Sequence, residues 1–127
     1  MTYLYSFLGQ LVTVLVFAGV TYILGVRRHR AAHIAWAIVT TLVLLWVIHL
    51  AESLGRQLAF DRTAYLVHMP SVALTSLSFI FVVGFGVALA RGKHVRSKHR
   101  TSVLTFLFSL IPTAISGIWL VSTAKPL

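Results

Sequence analysis

The chain has 127 residues, of which 58% are hydrophobic and 10% charged, with a mean hydropathy of +0.92. Ordinary soluble domains carry about 25% charged residues, so this composition describes an integral membrane protein with room for one small domain. The net charge is +9, from eleven Lys and Arg against Glu52 and Asp61 alone. These cations fall in short links between apolar runs, where the positive-inside rule accounts for them without nucleic acid. There is no cysteine, which excludes disulfides, thiolate metal sites and c-type haem attachment.

Four membrane-spanning helices are predicted, at about 4–26, 31–50, 65–90 and 101–124. The first is too long for a signal-peptide core and has no positive charge ahead of it, so it reads as a retained anchor. Arg27, Arg28 and Arg30 follow it directly, which places the N-terminus outside. Ser6, Gln10 and Thr13 are its candidate polar stripe. The second span opens near His33 and closes at His49, with Trp36 and Trp46 near its two ends. The link at 51–62 holds Glu52, Arg56, Asp61 and Arg62, is neutral overall, and suits the outer side.

The third span contains no Asp, Glu, Lys or Arg between Thr63 and Ala90, and apart from the phenol of Tyr65 its one ionisable side chain is His68. Ser71, Thr75 and Ser78 follow that histidine at helical spacing and predict a face turned toward another helix or a ligand. Gly84 and Gly86 are candidates for close helix approach. The loop at 91–100 carries Arg91, Lys93, Arg96, Lys98 and Arg100 with no acid, which places it inside. In the fourth span Ser102, Thr105, Ser109, Thr113 and Ser116 trace another stripe. Such stripes are more often plain packing surfaces than ligand contacts. The expected fold is all-α: one integral-membrane antiparallel four-helix bundle spanning 1–127, both termini outside and both basic loops cytoplasmic, in a prokaryotic plasma membrane.

Six histidines are the chemical signal. His49 and His68 lie at one depth near the outer ends of neighbouring spans, as a bis-histidine haem site requires. Arg56 and Arg62 in the link between them are candidate partners for haem propionates. Alternatively, His49, Glu52 and His68 form a metal site, with Met69 as a soft neighbour and copper ahead of zinc. The plainer reading has these histidines hydrogen-bonded to backbone and Glu52 paired with Arg56 as an i,i+4 couple. His29, His33, His94 and His99 lie among cations at the inner side, where histidines usually face lipid headgroups. His33 and His49 stand roughly 160° apart on an ideal helix, which argues against two stacked haems. No phosphate loop, His-Glu-x-x-His or nucleophile elbow occurs, and no span interior holds an acid for proton coupling.

Arg27-Arg28-His29-Arg30, His49 closing a span, His68 opening the next, and His99-Arg100 entering the last are spaced in a recognisable frame, followed by Ser116-Gly117-Ile118. This frame, over roughly residues 26–120, resembles the small bacterial and archaeal membrane protein family that includes YozB and the cytochrome oxidase assembly factor CtaM. It departs from the family pattern at Val103-Leu104-Thr105, where aromatic and proline residues would be expected. The resemblance implies a place in the respiratory chain or in assembly of haem-copper terminal oxidases, and points to His29, His49, His68 and His99. The leading expectation is a protein that binds haem b or a metal ion and partners a larger membrane complex such as a terminal oxidase, a non-enzymatic role being favoured over an enzymatic one. The rival expectations are a b-type cytochrome passing electrons from quinol and a cofactor-free structural subunit.

Overall fold

A computed structural model describes residues Thr2–Leu127. The expectation of an all-helical chain holds. Its four long helices are α1 (Thr2–Val26), α2 (Arg30–Gly55), α3 (Arg62–Ala90) and α4 (Arg96–Thr123), each long and apolar enough to cross a membrane. Two short strands, β1 (Leu58–Ala59) and β2 (Lys125–Pro126), pair antiparallel. The helices form two antiparallel hairpins: α1 packs on α2, and α3 packs on α4. One unit runs to Ala59 and takes in Ala124–Leu127; the other is Phe60–Thr123.

Two helices begin or end further out than their apolar runs. α2 continues five residues past Leu50, through a segment whose Glu52–Arg56 pair bridges one turn at 2.7 Å. α4 begins at Arg96, five residues before its apolar run, because Lys and Arg are good helix formers and apolarity is not what starts a helix. α3 begins at Arg62, where the Asp61 carboxylate caps it by accepting from the Ala64 amide at 2.9 Å. Both acids of the chain therefore have local structural partners.

The two basic turns are built alike. After α1 the chain enters the left-handed region at Arg28 (φ 59°), and after α3 at Gly92 (φ 82°). At the first turn His29 N–H donates to Leu24 O at 3.1 Å and Arg28 N–H to Gly25 O at 3.2 Å. At the second, Lys93 N–H donates to Ala88 O at 3.1 Å and Gly92 N–H to Leu89 O at 3.0 Å. This paired bonding is the Schellman termination, which satisfies carbonyls that the helix leaves open. Glycine takes the left-handed position at no steric cost in the second turn; arginine holds it in the first.

In the first hairpin the seam of α1 takes in only Gln10 of the predicted Ser6, Gln10 and Thr13; Gln10 is half-buried, its Oε1 out of solvent reach, four residues before Val14. Ser6 and Thr13 are exposed, and Thr13 donates back to Gly9 O within its own helix. Beyond Gln10 the packed seam is Val14, Ala18, Thr21 and Gly25, small or slim residues at four, three and four. Thr21 and Thr40 share a hydrogen bond of 2.6 Å across it, and Phe17 packs on Trp36 with centroids 5.3 Å apart. Trp36, near the start of its span, thus contributes to packing. The strand pair was not anticipated: β1 and β2 run Leu58 opposite Pro126 and Ala59 opposite Lys125, with Leu127 N–H donating to Gln57 O at 3.1 Å.

The second hairpin follows part of its predicted stripes: Thr105 is exposed, and Ser71 and Ser102 bond back within their own helices. Thr75 and Ser78 of α3 are buried, as are Ser109, Ser116 and Gly117 of α4. The Thr75 hydroxyl donates to Ser109 O at 3.1 Å and lies 2.8 Å from the Thr113 hydroxyl. Gly86 gives the close approach, since a Cβ there would meet the His99 ring at 3.3 Å, while Gly84 faces open space. Phe79 and Phe106 stack obliquely between these layers at 5.5 Å.

Candidate functional site

His68 lies on α3 seven residues before Thr75, and Ser116 lies on α4 seven residues after Ser109. The antiparallel register that joins Thr75 to Ser109 therefore brings His68 to Ser116, with Nδ1 2.9 Å from Oγ. The Ser116 hydroxyl also lies 2.6 Å from Pro112 O and 3.3 Å from Thr113 O. A carbonyl only accepts, so the single serine proton goes to Pro112 O. The serine oxygen then accepts from His68, which makes Nδ1 the protonated ring nitrogen. Nε2 is left with its lone pair, the form in which a neutral imidazole binds a metal or haem iron. Ser71, one turn after His68, does not hold the ring. Ser71 instead donates to Val67 O at 3.5 Å. The signal for Ser116 was present in the stripe, but it needs the interhelical register to be read.

The remaining candidates fall as follows. His49 is exposed on α2 in the first hairpin unit. Glu52 lies past the apolar run, and its hydrogen bond from Arg56, with that cation's field, holds its carboxyl below the usual carboxylate range. Arg56 is thus engaged by Glu52 at 2.7 Å, as the plainer reading had it. Arg62 is exposed in the first turn of α3. Among the described residues no three His, Asp or Glu side chains gather as a metal-ligating group, and a bis-histidine haem needs only two.

At the basic turns, His29 caps α2 without a side-chain hydrogen bond and is exposed, as is His94. His33 and His99 hold equivalent places: the His33 amide bonds to His29 O and the His99 amide to Val95 O, one turn into α2 and α4. Each ring lies over a glycine of the preceding helix, His33 over Gly25 and His99 over Gly86. His33 Nδ1 is 2.9 Å from Thr21 O, so it is the donor of that bond. His33 is thereby an interhelical clasp within its hairpin.

Fold and site define an all-helical protein with four potential membrane spans and a histidine oriented by a serine inside one of them. Comparison with protein-family models, with curated proteins and with solved structures finds no match.

Proposed function

We propose that this protein is a multi-pass membrane protein that uses His68 as a ligand for haem b or a metal ion, in the service of a respiratory membrane complex. The observation that carries the reading is the Ser116–His68 bond, which orients an imidazole in an apolar span and presents Nε2 for coordination. Ionisable groups inside spans are expensive and lean toward function. Bound there, the group would supply electron transfer or be held for delivery; the chain's part is to fix the ring and its tautomer. His49 is the second ligand suggested by the sequence, with Arg56 and Arg62 for propionates if the group is haem. The proposed arrangement is a single antiparallel bundle with both termini outside and the basic turns cytoplasmic in a prokaryotic plasma membrane.

The setting in haem-copper oxidase assembly, or as an accessory subunit, rests on the resemblance of the histidine frame. A second reading, a cofactor-free structural subunit, draws on α2, which buries none of its residues and exposes Leu42, Leu45 and Trp46. The deciding experiment is purification in mild detergent from haem- and metal-replete cells. A reduced-minus-oxidised spectrum and an elemental count are taken on the same sample. A sharp low-spin haem spectrum, or about one equivalent of copper, is expected; His68→Ala and His49→Ala remove it and His94→Ala does not. Retention of neither group by the wild type replaces this reading with the structural subunit, and rapid reduction of a bound haem by quinol selects the b-type cytochrome.

A further inference from the structure

The second hairpin carries an apolar groove of about 450 Å³ along α4. It is lined by Leu74 of α3 and by Thr101, Leu104, Thr105, Phe108 and Pro112 of α4. Phe108 is 69% exposed and Leu74 51%, so the groove opens to the side of the hairpin. Below Thr101 its hydroxyls are donated within α4, Thr105 to Thr101 O at 2.9 Å and Ser109 to Phe106 O at 2.8 Å, which leaves little there for a polar occupant to bond. From Thr101 to Pro112 the helix rises about 16 Å, roughly half of a hydrocarbon core of about 30 Å. The groove therefore has the depth of one lipid leaflet.

Thr101, Thr105, Phe108 and Pro112 recur at four, three and four along one face of α4. One further step of three toward the N-terminus reaches Lys98, which is exposed. Arg91, Lys93, Arg96 and Arg100 surround it in the same turn, all exposed, and none of the five has a carboxylate partner among the described residues. An apolar groove one leaflet deep thus ends at an unneutralised cluster of cations.

We propose that the groove and its basic mouth form a binding site for an anionic phospholipid, one acyl chain lying along Leu104 and Phe108 and the phosphate meeting Lys98. Charge selects this occupant. A second copy inserted in the same orientation would bring an identical basic turn to the same depth, where like charges repel. A quinone would bring no charge to the cations at the mouth, and deeper in the groove the Thr105 and Ser109 hydroxyls are already donated. A zwitterionic lipid fits the groove but leaves the cations unneutralised. The proposal rests on the chain spanning a membrane and on no histidine ligand, so it stands or falls apart from the cofactor.

The test is native mass spectrometry of the full chain released from nanodiscs holding equal phosphatidylglycerol and phosphatidylcholine with matched chains. Phosphatidylglycerol should be retained at least tenfold over phosphatidylcholine. Lys98→Gln should lower that retention about fivefold, the share of one cation at a membrane surface. Thr105→Phe, which fills the groove, should lower it at least as much, and Leu104→Trp serves if that variant melts early. Lys125→Gln, away from the turn, should change nothing. Equal retention of the two lipids overturns the proposal. So does loss with Lys98→Gln alone, which would leave only surface attraction, or a lipid-free dimer, which would give the groove to a second copy.

Discussion

His68 and Ser116 are joined across the second hairpin by a 2.9 Å bond whose direction is set by a third group, the Pro112 carbonyl. The imidazole proton is thereby placed on Nδ1. Nitrogen-15 NMR of histidine-labelled protein at neutral pH should show His68 as the Nδ1–H tautomer. Ser116→Ala should cost about 1 kcal/mol of stability and release the tautomer preference. A His68 found as Nε2–H in the wild type would remove the basis for ligation through that nitrogen.

The two left-handed turn residues make opposite predictions. Arg28→Gly should relieve a strained position and stabilise the first hairpin by about 1 kcal/mol. Gly92→Ala should destabilise the second by about the same amount. Thermal unfolding in detergent reads both; equal and same-signed shifts would contradict the turn geometry.

Glycines beneath the ring clasps should be graded by space. Gly25→Ala would set a Cβ 3.0 Å from the His33 ring and is expected to destabilise by about 1–3 kcal/mol. Gly86→Ala, at 3.3 Å from His99, should be milder, and Gly84→Ala, with open space, neutral or stabilising by up to about 1 kcal/mol. Melting temperatures that ignore this order would show the rings yield freely.

Orientation is directly testable because the chain has no cysteine of its own. Ser53 and Ser97 are both exposed, one in the neutral link segment and one in the basic turn. With Ser53→Cys and Ser97→Cys, an impermeant thiol reagent on whole cells should label position 53 and spare 97. The reverse pattern would invert the proposed topology.

How much of this was legible in the sequence depended on contrast. Thr75, Ser78, Ser109 and Ser116 stand out as polar residues in apolar runs, and their spacing correctly predicted the packed face of the second hairpin. Val14, Ala18, Thr21 and Gly25 give no such contrast in a helix that is apolar all round, so Ser6 and Thr13 drew the stripe to the wrong side. The histidine was visible, but Ser116 as its partner required a register that no local pattern encodes. Leu58–Ala59 and Lys125–Pro126 are too short for alternation to announce a strand.

The matched Schellman turns bear on biogenesis. Each turn closes through bonds among residues at most five apart, and the clasps beyond it join helices adjacent in sequence. Contacts of such low order form early, before distant parts of the chain are needed. During synthesis, the first pair can therefore settle as a unit while the second is still emerging from the ribosome, with Thr21 already bonded to its Thr40 partner.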